Sequence, residues 1–219
     1  MNFYDQLQRA TAAPRADLHA APIIAAAMAG RVNRRQYLSF LGRAFHHVKH
    51  TVPLLMACGA RLPDEQEWLR AAVAHYVQEE IGHHEWILQD IAAAGGDAAA
   101  VRASEPDADT DVLVAYAYDM VMRRNPVGLF GMVYVLEGTS VTLATAAAAA
   151  LRNALDLPAR AFTYLSSHGA LDVEHLGDFE RLVNRLERPA DRQAVAQGAK
   201  IVYGLYGNVL RGIAPEGVA

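Results

Sequence analysis

Between Arg124 and Arg152 the chain carries a single charged side chain, Glu137, in an otherwise apolar or small-residue stretch that ends in five consecutive alanines, Ala146 to Ala150. A run of this length and composition is helical and must be covered on nearly all sides. It is therefore either a membrane span or the central helix of a helical bundle. A carboxylate near the middle of a span is costly in lipid, so the bundle is the expected answer. A buried carboxylate is also costly unless it is protonated, paired or bound to a metal. One segment thus predicts an all-α core and marks Glu137 as a candidate functional residue.

The rest of the chain reads as helix after helix, with no convincing alternation of β-branched residues between turns. Short helices are expected over Phe3 to Ala12 and over Ala21 to Ala29, the second stopped by Gly30. Asn33 is placed to cap a helix from Arg34 to about His50, with Tyr37, Phe40, Leu41, Ala44, Phe45 and Val48 on one face. Pro53 should kink or restart it before Cys58. A helix from Glu65 to about Ala94 should end at Gly95-Gly96. Residues Asp97 to Asp109 read as a loop or a short ragged helix, and Asp109 or Thr110 as the cap of a helix to Arg124. Asn125-Pro126 breaks that helix, and the long apolar helix follows to about Leu155. Pro158 starts a helix through Ser167, His168 to Leu186 is helical, and the last helix runs from Asp191 to about Ile213. The expectation is one all-α domain of seven to nine helices over residues 1–219, with 53% hydrophobic residues to fill its core.

Composition excludes several functions. The net charge is −4 and the basic residues are scattered, so nothing favours nucleic acid. The single cysteine, Cys58, rules out an intrachain disulfide and multi-thiolate metal sites and fits a reducing cytoplasm. The first residues have no apolar core of signal-peptide length, and no membrane partner is expected.

Chemistry concentrates in three places. In HGALDVEH, His168, Asp172 and His175 stand at i, i+4 and i+7, which stacks them on one stripe of a helix. Leu171, Leu176 and Phe179 adjoin that stripe and place it at or beside a buried face. In EEIGHHEW, Glu80 and His83 repeat the idea at i, i+3, a spacing used in carboxylate-bridged di-iron bundles. Glu79, His84 and Glu85 are adjacent alternatives, and an exposed charged turn is the plain structural explanation. Gly82 and Gly138 would let another group approach closely. With Glu137, three helices offer three carboxylates and three imidazoles, a donor set suited to a first-row transition metal. His46, His47 and His50 form a fourth cluster without a carboxylate on its own helix, so they are expected to line a pocket or to support the ligands from behind. His19 reads as a surface histidine.

With these residues in view the chain resembles the heme-oxygenase-like superfamily, and within it the non-heme iron branch of diiron oxidases and oxygenases, TenA/PqqC-like in fold. The resemblance runs from GRVNRRQYLSFLGRAFHHVKHTVPLL through EEIGHHEW and VLEGTS to HGALDVEH, nearly the whole chain. It implies a single-domain heme-oxygenase-like helical bundle. By motif it implies Glu80, His83, Glu137, His168, Asp172 and His175 as ligands of Fe(II), two ions in number. The implied activity is an O2-dependent oxidation of a small organic substrate such as an amino, fatty or aromatic acid, in a cytoplasmic protein for which a homodimer is admissible. Two alternatives stand beside it: a TenA/PqqC-type enzyme without iron, and a binding or regulatory protein on the same fold.

Overall fold

The computed structural model describes residues 1–213, and for residues 168–176 the helix but not the side chains. Twelve α-helices account for nearly all of the described chain, which contains no strand. In order they are α1 (Phe3–Ala10), α2 (Ala12–His19), α3 (Pro22–Met28), α4 (Arg34–Val48), α5 (Thr51–Arg61), α6 (Glu67–Glu80), α7 (His83–Ala93), α8 (Ala98–Ala103), α9 (Ala108–Arg123), α10 (Leu129–Leu155), α11 (Thr163–Asn184) and α12 (Pro189–Arg211). The all-α expectation holds.

The 27-residue α10 is the axis of the bundle and packs most extensively on α11 and α12. It is long and apolar enough to cross a membrane by length and composition, but most of that stretch is buried inside the protein. Its two halves belong to different cores. Phe130, Met132 and Val135 lie in a cluster with Leu54, Leu69 and Leu113 of α5, α6 and α9. Ala144, Ala148 and Leu151 lie in a second cluster with Tyr37, Leu41 and Ile87 of α4 and α7. Glu137 falls at the junction of the two.

Small residues set how closely the axis is approached. A Cβ on Gly131 would stand 2.4 Å from the Val195 carbonyl oxygen and 2.5 Å from the Ala199 nitrogen. One on Gly198 would stand 2.7 Å from the Gly128 carbonyl oxygen. The backbones of α10 and α12 therefore meet where glycine alone fits.

Local chemistry explains most boundaries. Asn33 accepts from the Gln36 nitrogen at 2.9 Å while the Gln36 side chain accepts from the Asn33 nitrogen at 2.9 Å, a reciprocal cap on α4. Gly30 (φ +63°) follows α3, and Gly95 (φ +76°) follows α7.

Four expectations need correction. The segment from Glu65 to Ala94 is two helices, because Gly82 adopts φ +92°, outside helical space, and a short 3₁₀ turn precedes the first. The cap of α9 is Asp107, whose carboxylate accepts from the nitrogens of Asp109 and Thr110, so neither of those residues is itself the cap. Residues from Thr163 to Asn184 form one helix, with no restart at His168. The N-terminal segment holds a second helix, α2, beyond the first, and the described residues hold twelve α-helices where seven to nine are expected.

Candidate metal centre

The break at Gly82 is what aims the first pair of candidate ligands. Glu80 ends α6 and His83 begins α7, and the left-handed turn between them folds both side chains inward. His83 Nδ1 lies 3.0 Å from Glu80 Oε2, with side-chain exposures of 3% and 11%. The neighbours go elsewhere: His84 is about one-third exposed and pairs with Glu85 at 3.2 Å, and Glu79 pairs with the exposed His75 at 3.3 Å. Trp86 packs on His83, ring centroids 4.2 Å apart.

Gly82 serves the turn and not a close approach, since nothing described lies within 4 Å of where its Cβ would be. The same holds at Gly138 among the described residues, so the expected close approach beside Glu137 is not seen.

Glu137 is buried, at 8% exposure, on the inner face of α10. It and Glu80 line one cavity of about 80 Å³, whose wall also includes the apolar side chains of Leu54, Leu55, Leu129 and Met132. Two of the three helices expected to supply ligands therefore converge. The third, α11, runs through the positions of His168, Asp172 and His175, whose side chains lie outside the described residues. Among the described residues no group of three or more His, Cys, Asp or Glu is close enough together to hold a metal ion.

His47, expected to line a pocket, is on the wall of this cavity. Its Nδ1 is 3.0 Å from the Arg43 carbonyl oxygen. A carbonyl only accepts, so Nδ1 is the donor in this contact. His46 and His50 face away, toward Ser104 Oγ at 3.0 Å and Tyr118 OH at 3.1 Å. Burial, and then the neighbouring Lys49 ammonium, push both imidazoles below the usual histidine range. Thr51, Ser140 and Tyr164 add hydroxyls to the cavity wall. Sequence reasoning had no means of finding them, because single hydroxyl residues on three helices form no pattern.

Behind the pair, α7 carries a second buried carboxylate that the sequence did not single out. Asp90 is fully buried, accepting from the Thr163 nitrogen at 3.0 Å and the Tyr164 nitrogen at 2.8 Å. It caps α11 from another helix. Burial raises its pKa, opposed by those two backbone hydrogen bonds. Tyr37 reinforces the same corner by donating to the Ala161 carbonyl at 2.6 Å.

Cys58 lines neither this cavity nor the apolar chamber beside it. It is buried, donates to the Pro126 carbonyl at 3.3 Å, and burial pushes its thiol up to about 12, so it is a packing residue and not a nucleophile.

The helical order around a central buried axis, with carboxylates and imidazoles at its middle, is a heme-oxygenase-like fold. A domain of unknown function with that fold from Shewanella denitrificans superposes with a TM-score of 0.84 at 22% identity, covering 97% of this chain and 92% of the other. A TenA homologue from Pseudomonas syringae gives 0.78 at 11% identity over 96% and 92%. Heme oxygenase-1 from the cyanobacterium Synechocystis, in complex with heme, gives 0.73 at 13% over 97% and 92%. These likenesses establish the fold alone. No curated protein matches the sequence. The family model for iron-containing redox enzymes matches residues 38–207, and the chain belongs to that family.

Proposed function

We propose that the protein is an O2-dependent non-heme iron oxidase or oxygenase acting on a small organic substrate. In this reading Glu80, His83, Glu137, His168, Asp172 and His175 hold two Fe(II) ions. The observation that carries it is the meeting of Glu80, hydrogen-bonded to His83, with buried Glu137 on one cavity. Two carboxylates on one cavity, one of them paired with a buried imidazole, call for a compensating cation, and a ferrous ion suits donors of these types.

Bound iron would supply the redox chemistry with O2. The chain's own residues do the rest. Glu137, fixed in the middle of α10, balances positive charge from inside the core. Glu80, 3.0 Å from His83 Nδ1, orients the imidazole. Leu54, Leu55 and Met132 exclude water, which strengthens every charge interaction in the cavity. His47, on the cavity wall and anchored through Nδ1 to the Arg43 carbonyl, is placed to contact substrate.

A TenA/PqqC-type reaction without iron has fold likeness in its favour, but the one cysteine is placed and protonated for packing. The test is anaerobic Fe(II) titration of protein freed of metal, then exposure to O2. About two equivalents should bind, and O2 should be consumed with a transient visible absorption. Glu137→Ala, His168→Ala and His175→Ala should each lose iron and O2 uptake while retaining helical circular dichroism. Full iron retention in all three would overturn the ligand assignment.

A further inference from the structure

A second cavity, of about 120 Å³, lies alongside the carboxylate cavity in the other half of α10. The two share three wall residues, Leu136, Ser140 and Tyr164, so they are separated by a partition one side chain thick. The second chamber carries no charged side chain on its walls. Ile24, Val32, Phe40, Leu143, Ala144 and Ala147 are representative of the lining. Gln36, Thr139, Ser140 and three tyrosines also line it, but most of its wall is apolar and gains by being covered with hydrocarbon.

The outer wall gives an independent sign. Helix α3 has the sequence PIIAAAM, without one polar side chain, yet none of its residues is fully buried. It contributes Ile23, Ile24, Ala27 and Met28 to the chamber, and Met28 is 43% exposed at the edge. An all-apolar helix left half in water has apolar surface that a ligand can cover. On the far side, Tyr206 lines the chamber and its ring stands edge-on to His47 of the carboxylate cavity, centroids 5.7 Å apart.

The geometry points to a substrate that is an amphiphile, with its polar, reacting head at Glu80 and Glu137 and a hydrocarbon tail of about six carbons in the α3–α4–α10 chamber. This rests on the proposed reading for where the head reacts, and on the chamber alone for the tail. Residues Ala144 and Ala147 are the specificity determinants, because their small side chains leave the space the tail fills. Leu136, Ser140 and Tyr164 set the point at which tail gives way to head.

The test uses the full-length protein without metal and a series of 1-alkanols, whose neutral heads avoid repulsion by the cavity carboxylates. Calorimetric affinity should rise about fourfold for each added CH₂, the equivalent of burying one methylene. The rise should flatten beyond about six tail carbons, and the heat capacity change should be negative. Ala147→Phe places a benzene-sized ring in the chamber and should abolish the chain-length dependence while leaving Fe(II) uptake unchanged. Ala27→Trp, on the half-exposed α3, is the alternative block should Ala147→Phe fail to fold. A flat chain-length profile in the unaltered protein, or an unchanged profile in a folded blocked variant, overturns the proposal. Loss of the iron reading with the chain-length dependence intact would overturn the chemistry assigned to the head and leave the tail site standing.

Discussion

Replacing Asp90 by alanine tests how the site is held together. The carboxylate is fully buried and accepts two backbone hydrogen bonds, from Thr163 and Tyr164, at the N-terminus of α11. Removing an N-cap costs about 1–2 kcal/mol. Hydrogen bonds to a charged acceptor contribute roughly 1.5–3 kcal/mol each, and donors left unsatisfied in the interior cost about 1–3 kcal/mol each. Against this stands the desolvation that raises the carboxyl pKa, which alanine relieves. The balance is a loss of about 3 kcal/mol, or a Tm lower by roughly 6–12 °C for a chain of this size. Asp90→Asn keeps one carbonyl acceptor and should lose about half as much. Urea unfolding gives the free energy and thermal circular dichroism the Tm. Since α11 carries His168, Asp172 and His175, Fe(II) affinity measured by chelator competition should fall together with stability, and Asn should partly restore both. A Tm change below about 2 °C for Asp90→Ala would refute the assignment of this carboxylate as the cap of α11.

Other outcomes follow from the same geometry. His83→Ala should lose most Fe(II) binding and His84→Ala little, because His83 is buried against Glu80 whereas His84 is part exposed beside Glu85; iron content after gel filtration decides. Gly131→Val should destabilise by about 1–3 kcal/mol or more, because its side chain would meet the α12 backbone and not a movable side chain; chemical denaturation measures it. His46 and His50 have folded-state pKa values below the usual 6.5. Their unfolded forms bind protons first, so their stabilising contribution is complete above about pH 6.5 and is lost as pH falls through the folded values. The double variant His46→Asn/His50→Asn should flatten the stability profile in that window, read by unfolding midpoints across pH 5–7.5.

Helix content and most boundaries were legible because their causes are local. The Asn33 cap, the Gly30 and Gly95 stops and the break at Asn125-Pro126 depend on a few adjacent residues. The split at Gly82 was not legible, since a lone glycine inside an apolar-periodic segment is tolerated in a helix as often as it ends one. Yet that split is what turns Glu80 and His83 toward one another. Apolar neighbours in the sequence favour Glu80 over Glu79 and His83 over His84, and Glu80 and His83 are the more buried members of each pair. Asp90 and the hydroxyls of Thr51, Ser140 and Tyr164 escaped notice because their roles exist only across helices far apart in sequence.

The placement of the candidate centre has a consequence for how the fold tolerates change. The proposed donors would come from α6, α7, α10 and α11, of which only α6 and α7 are joined near the cavity, by the turn at Gly82. Their relative positions are fixed elsewhere: by the glycine crossing of α10 with α12, by Asp90 between α7 and α11, and by Tyr37 reaching Ala161. Packed interiors transmit small displacements with little loss, and metal–ligand bonds of about 2.0–2.2 Å tolerate few tenths of an ångström. Tyr37→Phe removes only a hydroxyl, leaving the ring stacked on Phe162 at 5.0 Å. It should cost about 1–2 kcal/mol of stability for the one hydrogen bond and its stranded acceptor, yet loosen α11 where it enters the core. The expected result is Fe(II) affinity reduced several-fold in a protein that remains fully folded at 25 °C. Unchanged affinity alongside the predicted loss of stability would show that the ligand helices are positioned independently of this corner.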